Sequence, residues 1–395
     1  MSCTNPSRMF DTGYLTDNGK PLYKYCSKNI SFIHKPISKE LVYSNRPNHV
    51  YSDIIISDYI EVPCQKCEAC RLAKSKEWME RCMLEQQEWE HNEMITLTYS
   101  DEHLPKNQGI DMQTGEVLNV DTLHYEDFQA FKKRLLRYWE YNYGEKDIRF
   151  YMCGEYGDKK GRPHYHAIFF NLNIRDKEFH KYSDEGFPLF TSKIIEKLWG
   201  KGWVQINEVN EKTCAYVARY ILKKQKGKGS KQYYEAMGKV PEFTKSSNRP
   251  GIGNKYYQNH KDEIYEYDKL VLKTNAGAQQ IKPSAYYDRL FDADEHEKME
   301  EIKERRKDLA EKRQATINRV SGLTIDQQRE FKANALHERL KKFKRNHFEI
   351  LINDILSVFL PIESLNNVIG IADWTITYLD IFKILYVVIA IKFMS

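Results

Sequence analysis

The stretch IRFYMCGEYGDKKGRPHYHAIFFN, residues 148–171, decides how the centre of this chain folds. Two runs rich in β-branched and aromatic residues, 148–157 and 163–171, flank the turn-forming segment DKKGR, a pattern that predicts a β-hairpin. Side chains two residues apart on a strand point to the same face of a sheet. His164 and His166 therefore project together, Tyr165 points to the opposite face, and Glu155 on the preceding strand can lie beside the histidines.

The elements around this hairpin alternate between strand and helix. Residues 93–100 (EMITLTYS) and 202–209 (GWVQINEV) have the composition of strands, and residues 121–144, 192–199 and 212–225 have that of helices. The order strand, helix, strand, strand, helix, strand, helix predicts the α+β class. We expect a central antiparallel sheet, an RRM/ferredoxin-like palm, with helices packed on one face.

Changes in composition divide the chain into five predicted segments. They are a loop-rich N-terminal segment with a cysteine cluster and a helix (1–90), the core (91–226), a polar tyrosine-rich extension (227–291), a charged helical tail (292–346) and an apolar C-terminal tail (347–395). The uncharged run ILYVVIAI in the last segment is much shorter than the about 20 apolar residues of a spanning helix. We therefore expect a packed or interfacial tail and no membrane partner.

The N-terminus, MSCTNPSRMFDTG, lacks the apolar run of a signal peptide. We therefore expect the chain to stay in the cytoplasm, where disulfides are rare and clustered cysteines have another role. Cys64, Cys67 and Cys70 follow one another at x2 spacing, and Cys82 comes next. This spacing indicates thiolate ligation of Zn²⁺ by these three and either Cys82 or a distant His or Cys. An iron–sulfur centre, without the usual Cys-Pro, and free thiols are the alternatives.

A tyrosine pair marks the predicted helix KTCAYVARYILKKQ, residues 212–225. Tyr216 and Tyr220 are four residues apart and so share one helical face. The total charge of +5 says little about nucleic acid, so the local distribution has to decide. Cations with no acid among them accompany the pair, as a phosphate backbone requires: Arg219, Lys223, Lys224, Lys226 and Lys228. Aromatic packing of an amphipathic helix is the alternative interpretation.

Together, the two features describe one chemistry. Two histidines and a carboxylate with open positions suit a divalent cation that also holds substrate oxygens. A tyrosine near cations ionises more easily and can attack phosphorus to form a covalent intermediate. A metal-holding strand beside a basic two-tyrosine helix therefore indicates a tyrosine-dependent DNA nickase. Taken alone, the two histidines also fit the polar face of a half-buried strand.

Several ordered motifs resemble those of HUH-type rolling-circle replication initiators, in particular the initiators of gokushovirus-type microviruses. PHYH is similar to their histidine–hydrophobic–histidine motif, ITLTYSDEHLP to the motif upstream of it, and YVARYILKK to the third motif. VPCQKCEACR and NRPGIG also have counterparts, so the resemblance covers residues 60–260. Arg219 departs from the pattern, because related two-tyrosine initiators often have Lys between the tyrosines.

The resemblance implies roles for individual residues. His164, His166 and Glu155 would hold Mg²⁺ or Mn²⁺, and Tyr216 and Tyr220 would be alternating nucleophiles. Lys223 would neutralise phosphate or help to activate Tyr220. The DNA-binding cations would be Arg219, Lys224, Lys226 and Lys228.

The resemblance also implies an activity and its partners. The chain would nick single-stranded origin DNA, keep a 5′-phosphotyrosine and rejoin the strands after replication in the cytoplasm of a bacterial host. Host polymerase and helicase would be partners, because the chain contains no nucleotide-binding G-x-x-x-x-G-K-[ST] motif. The alternatives are a single-stranded-DNA transposase or plasmid relaxase, a metal-dependent hydrolase without a covalent step, and a non-catalytic zinc-containing nucleic-acid-binding protein.

Overall fold

The structure is a computed structural model of the chain. It describes residues 3–16, 19, 21–26, 32–34, 41–43, 55–56, 59–111, 114–157, 161–183, 186–219, 229–274 and 277–345. The chain divides into two compact units, residues 1–289 and 290–395. The predicted apolar tail, 347–395, lies outside the described residues, and the five-segment division stays a prediction.

Strands dominate the first unit. In chain order they are β1 (Ser7–Leu15), β2 (Pro21–Cys26), β3 (Phe32–His34), β4 (Leu41–Tyr43), β5 (Ile55–Ile56), β6 (Tyr59–Val62), β7 (Asn92–Tyr99), β8 (Lys106–Ile110), β9 (Val117–Asp121), β10 (Arg149–Tyr156), β11 (Pro163–Phe170), β12 (Glu178–Tyr182), β13 (Pro188–Thr191), β14 (Gly202–Glu208), β15 (Phe243–Ser246), β16 (Leu270–Thr274) and β17 (Gly277–Ile281).

The helices of the described chain are distributed over both units. In chain order they are α1 (Glu68–Gln87), α2 (Tyr125–Tyr143), α3 (Lys193–Trp199), α4 (Glu211–Arg219), α5 (Ser230–Ala236), α6 (Asn254–Tyr267), α7 (Ala285–Asp294), α8 (His296–Ser321) and α9 (Ile325–Arg345). No helix among the described residues is long and apolar enough to cross a membrane.

A seven-stranded sheet with the order β12-β13-β14-β7-β11-β10-β15 forms the centre of the first unit. Every pair of neighbouring strands in it is antiparallel. Its four central strands, β14-β7-β11-β10, follow the chain as fourth, first, third and second strand of a βαββαβ unit, the ferredoxin-like arrangement. The α+β class and the antiparallel palm are therefore confirmed.

One face of this sheet packs against α2 and α3. Phe128, Phe131, Leu135 and Trp139 recur along α2 at helical spacing, and all four are fully buried. They meet alternate side chains of the central strands, among which Tyr165 is fully buried, as its position on the strand predicts. Burying such a continuous apolar layer is the main stabilising contribution to this half of the unit.

Helices also cover the other face, where the sequence led us to expect them on one face only. On α1, Trp78 stacks on Tyr151 of β10 with ring centroids 4.7 Å apart, and α4 packs against β10 and β11. Neighbouring residues of a strand point to opposite faces, so Tyr165 contacts α2 while His166 faces α4. The two-sided packing follows from the apolar residues at both alternations of β11, which is buried at all but one position.

A buried carboxylate anchors the NRPGIG segment to α1. Glu85, which has no exposed surface, accepts a bond from Arg149 Nε at 2.8 Å and one from the Gly253 backbone N–H at 2.6 Å. Gly253 has a φ of +82°, and a Cβ there would lie 2.3 Å from the Tyr287 hydroxyl oxygen. Only glycine fits this close approach in the left-handed region, which accounts for the final glycine of the motif.

The second unit, where it is described, consists of the end of α7 and the long helices α8 and α9. Gly322, with φ +64°, ends α8 in the left-handed conformation and donates its N–H to the carbonyl of Asn318 at 3.0 Å. These helices lie in the segment predicted as a charged helical tail. Most of their side chains are exposed, as the high charge density of the segment leads one to expect.

Candidate metal and nucleophile site

The register of two antiparallel strands creates the site. Glu155 on β10 lies directly opposite His164 on β11, and His164 in turn lies opposite Thr98 on β7. His166 is opposite Cys153 and Thr96 in the next row of the same face. The hairpin therefore brings the predicted carboxylate and both predicted histidines together on one face of the sheet.

Both imidazoles converge on one carboxylate oxygen. Glu155 Oε1 lies 2.9 Å from His164 Nε2 and 3.2 Å from His166 Nε2. Glu155 is 2% exposed and His166 5%, whereas His164 is open on one side. Each of the three residues offers one ligand atom, and these atoms lie within 4.8 Å of one another. The group thus forms a half-closed cluster of ligand atoms with access from one side.

Further hydrogen bonds fix the orientation of each ring. The Nδ1 atom of His164 lies 3.0 Å from the carbonyl oxygen of Arg162. Because a carbonyl only accepts, Nδ1 carries a proton and donates it here, and Nε2 is left facing the cluster. Nε2 donates to Glu155 when the ring is doubly protonated and offers its lone pair to a metal ion when the ring is neutral. The Nδ1 atom of His166 lies 2.9 Å from the Thr96 hydroxyl oxygen. Such outer partners hold metal-ligating imidazoles in position in many metalloproteins.

The Glu155 carboxyl is held in its charged form. Burial raises its pKa, but hydrogen bonds from His164 and His166, together with the positive charge they carry when protonated, outweigh burial. The net effect is a pKa well below the ordinary value of 4.5. An ionised carboxylate beside two imidazole nitrogens is a donor set that suits a divalent transition-metal ion and leaves positions open.

Helix α4 brings a phenol to this cluster. Asn210 and Thr213 exchange bonds at its start: the Thr213 N–H donates to Asn210 Oδ1 at 3.0 Å and the Asn210 N–H to Thr213 Oγ1 at 2.8 Å. From there the helix places the Tyr216 hydroxyl 3.3 Å from His166 Nε2, with the two rings perpendicular and 4.9 Å apart. The Arg219 guanidinium carbon lies 5.4 Å from the Tyr216 ring centre. The Tyr216 hydroxyl thus lies directly beside the cluster of ligand atoms.

The other residues expected on this helix are not part of the described chain. Tyr220, Lys223, Lys224, Lys226 and Lys228 all lie outside the described residues.

Comparison with known proteins shows the family to which the chain belongs. Residues 92–225 match the family model of the replication-associated protein ORF2. The "Replication-associated protein ORF2" of Spiroplasma virus 4 is 35% identical over 288 residues, which make up 72% of this chain and 83% of that relative. The chain belongs to this replication-associated protein family.

Two further relatives of this replication initiator come from other small phages. The "Replication-associated protein VP4" of Bdellovibrio phage phiMH2K is 31% identical over 229 residues, or 57% of this chain and 66% of the relative. The "Replication-associated protein ORF4" of Chlamydia phage 1 is 35% identical over 167 residues, or 41% and 38%. No solved structure matches the chain. The predicted kinship with gokushovirus-type rolling-circle initiators is confirmed.

The initiator also contains a second cluster of ligand atoms, formed by thiols. Cys3, Cys64, Cys67 and Cys70 each offer a sulfur, and the four sulfurs lie within 4.8 Å of one another. The structure groups Cys3, rather than the predicted Cys82, with the other three. Cys82 lies roughly 18 Å farther along α1 than Cys70 at 1.5 Å per residue, and it is fully buried.

Sequence reasoning missed several residues that shape these sites of the initiator. Thr96 and Arg162 orient the histidines, and Cys3 completes the thiol cluster. The alternation of ITLTYS puts Thr96 and Thr98 on the same face of β7. Only the strand order shows that β7 neighbours β11 and that this face is the one with the histidines. Cys3 gave no signal, because 61 residues separate it from Cys64.

Proposed function

We propose that this initiator is an HUH-type site-specific DNA endonuclease and strand transferase that nicks single-stranded origin DNA by tyrosine attack. The observation that carries the proposal is the 3.3 Å distance between the Tyr216 hydroxyl and the His166 Nε2 atom. A nucleophile this close to a His-His-Glu cluster can reach a phosphate that the cluster helps to hold.

Glu155, His164 and His166 would hold Mg²⁺ or Mn²⁺. The convergence of two imidazole nitrogens and a charged carboxylate oxygen on one point fits an ion of this class. When bound, the ion would act as a Lewis acid on the scissile phosphate. The chain's own contribution is orientation, because Thr96 and the Arg162 carbonyl keep both rings aimed at that point.

The strand is cut by exchange of one phosphorus–oxygen bond for another. The Tyr216 oxygen attacks phosphorus and its phenolic proton passes to solvent. The bond between phosphorus and the 3′ oxygen breaks, and that oxygen takes up a proton to become a free 3′-hydroxyl. The 5′ end stays on the protein as a phosphotyrosine ester. Because the ester conserves the bond energy, a later attack by a 3′-hydroxyl reverses the step and rejoins the strand.

A second tyrosine would allow a full replication cycle. Tyr220 follows Tyr216 by one helical turn in the sequence, so it would attack the regenerated origin while Tyr216 still carries DNA. Lys223 would neutralise the attacked phosphate or help to activate Tyr220. The cations Arg219, Lys224, Lys226 and Lys228 would contact the DNA backbone. Host polymerase would extend the 3′-hydroxyl, and host helicase would unwind the duplex.

The test uses the circular single-stranded genome that encodes the chain, end-labelled fragments of it, and Mn²⁺. The wild-type protein should produce a labelled protein–DNA band that survives denaturing electrophoresis, and EDTA should abolish it. Tyr216→Phe and Tyr220→Phe should each leave adducts on the remaining tyrosine, and the double variant should leave none. Tyr141→Phe is the matched control, because Tyr141 is 87% exposed on α2, across the sheet.

An adduct formed by the double variant would overturn the assignment of the nucleophiles. Metal-dependent cleavage without any adduct would favour a hydrolase with no covalent step. DNA binding without cleavage would favour the non-catalytic alternative. Mapping the cut in the genome separates an initiator, which cuts one origin, from a transposase or relaxase.

A further inference from the structure

The thiol cluster joins two segments that are far apart in the sequence. Cys3 precedes β1, Cys64 follows β6, and Cys67 and Cys70 lie at the start of α1. The Cys3 and Cys67 sulfurs are 3.8 Å apart, far beyond the about 2.05 Å of a disulfide. The edge of a tetrahedron of sulfurs around an ion with bonds of about 2.3 Å is about 3.8 Å. The spacing of this pair therefore matches two ligands of one tetrahedral ion, and all four sulfurs lie within 4.8 Å of one another.

Backbone N–H groups point at two sulfurs of the cluster. The Cys64 N–H points at the Cys3 sulfur at 3.3 Å, and the N–H groups of Lys66 and Cys67 point at the Cys64 sulfur at 3.5 and 3.3 Å. Gln65, with a φ of +57°, turns the chain tightly so that both N–H groups reach the same sulfur. Donors aimed at a sulfur stabilise its anionic form, which is the form that binds metal.

We propose that Cys3, Cys64, Cys67 and Cys70 form a four-thiolate structural Zn²⁺ site that ties the N-terminal strands to α1. Tetrahedral sulfur ligation selects zinc, and a closed set of four ligands is typical of a structural rather than a catalytic ion. Each thiol loses its proton when the ion binds. The helix held in this way is the one that carries Glu85 and packs against α4, so the ion supports the elements behind Tyr216.

The test measures metal in full-length protein purified without added metal or chelator. We expect one zinc per chain by elemental analysis, and replacement by Co²⁺ should give the visible bands of a tetrahedral four-thiolate complex. Cys3→Ser should weaken zinc binding at least tenfold in chelator competition, while Cys82→Ala should keep wild-type affinity. The Co²⁺ spectrum of the wild-type protein requires no variant and so does not depend on how well Cys3→Ser folds.

Three outcomes would overturn the site. Protein with neither zinc nor a four-thiolate Co²⁺ spectrum would have free thiols. Stoichiometric iron in the purified protein would show that the site holds iron and not zinc. Loss of zinc from Cys82→Ala but not from Cys3→Ser refutes the ligand set.

A different observation, on the face of the large sheet that carries the His-His-Glu cluster, points to a contact for the substrate. Trp203 on β14 pairs with Thr98, which pairs with His164, which pairs with Glu155. The four residues thus form one row on one face. Strands are about 4.8 Å apart, which places the tryptophan backbone about 10 Å from that of His164. Trp203 is 60% exposed, and the Arg162 guanidinium carbon lies 5.7 Å from its ring centre.

We infer that Trp203 stacks on a base of single-stranded DNA next to the scissile phosphate, an inference that rests on the proposed function. A large exposed aromatic ring is a surface on which single-stranded nucleic acids stack, since every base offers a π-face. The Arg162 guanidinium beside the ring is held in place by Asp101, at 2.7 Å, and by the Tyr99 carbonyl oxygen. Arg162 links this platform to the cluster, because its carbonyl oxygen lies 3.0 Å from His164 Nδ1 while its guanidinium faces the tryptophan.

Binding is measured without cleavage, in the Tyr216→Phe, Tyr220→Phe background and without added metal or chelator, by fluorescence anisotropy of a labelled single-stranded oligonucleotide. Trp203→Ala should weaken binding about 5- to 150-fold, the range for loss of one stacked base, and Trp203→Phe should recover most of it. Tyr141→Ala, an exposed aromatic residue on α2, should bind as the background does. Equal affinity of Trp203→Ala and the background refutes the inference but leaves the nicking proposal intact. If Trp203→Ala weakens binding but the wild-type protein never forms a DNA adduct, the nicking proposal is refuted and the stacking inference stands.

Discussion

Removing the Thr96 hydroxyl should lower the affinity of the proposed site for a metal ion while leaving all three ligand side chains in place. Thr96→Val keeps the β-branched shape that suits β7 and deletes only the oxygen that lies 2.9 Å from His166 Nδ1. His166 keeps both neighbours in the cluster but loses the bond that fixes its ring. Removal of such an outer partner typically lowers metal affinity 10- to 100-fold, or about 1.4–2.7 kcal/mol at about 1.36 kcal/mol per factor of ten.

Mn²⁺ binding, followed by electron paramagnetic resonance of the free ion, measures this loss directly. Thr98→Val is the matched control: Thr98 lies two residues along on the same face, and its hydroxyl makes no hydrogen bond within the described part of the chain. We expect the Thr96→Val protein to bind Mn²⁺ at least tenfold more weakly than Thr98→Val. Equal dissociation constants for the two variants would show that the Thr96 hydroxyl does not position His166, and the reasoning would fail.

Three further predictions concern stability and are measured as free energies of unfolding in denaturant. Arg149→Met leaves the buried Glu85 carboxylate without its cation and should cost about 3–5 kcal/mol, whereas the exposed Arg175→Met should cost less than about 1 kcal/mol; similar costs would contradict this. Burial raises the pKa of Glu80 to about 6 against an ordinary 4.5, so its ionisation above pH 6 opposes folding. Glu80→Gln should therefore stabilise the protein by about 2 kcal/mol at pH 7.5 and by nothing at pH 4, and a gain independent of pH would refute the cause. Gly202→Ala should cost about 1–3 kcal/mol or more, because φ is +150° and a Cβ would lie 2.3 Å from the Thr98 carbonyl oxygen; a neutral effect would refute it.

Local periodicity was sufficient to predict that Glu155, His164 and His166 lie together on one face. A strand period of two put His164 and His166 on the same face, and the hairpin placed Glu155 opposite His164. Both facts depend on residues within about twenty positions of each other, where chain geometry leaves few alternatives. That Tyr216 lies near the histidines was a hypothesis from the basic residues and the tyrosine spacing of its helix. The position of Tyr216 depends on how α4 packs against the sheet.

The parts that sequence reasoning missed depend on long-range contacts. Cys82 was named as the fourth ligand because it is the next cysteine in the sequence, with a distant His or Cys as the alternative. Helical rise carries Cys82 away from Cys70, and the distant Cys3 joins the cluster. Helices on both faces were missed because the strand β11 is apolar on both alternations, a pattern that does not say which helix covers which side. Thr96 needed the strand order, which no local pattern encodes.

The register between β10 and β11 has a consequence for how this protein tolerates insertions and deletions. The described residues of the loop between the strands, Gly157, Gly161 and Arg162, contribute no ligand side chain to the cluster. Changes in the length of this loop should therefore leave the opposed pair of Glu155 and His164 in place. Deleting a single residue within β11 has the opposite outcome, because every later side chain changes face and Tyr165 would replace an imidazole. Indels in related genes should therefore accumulate in the loop and be purged from the strands. Strand pairing thus fixes the ligand positions of the hairpin, whereas the sequence and length of its loop are free to diverge.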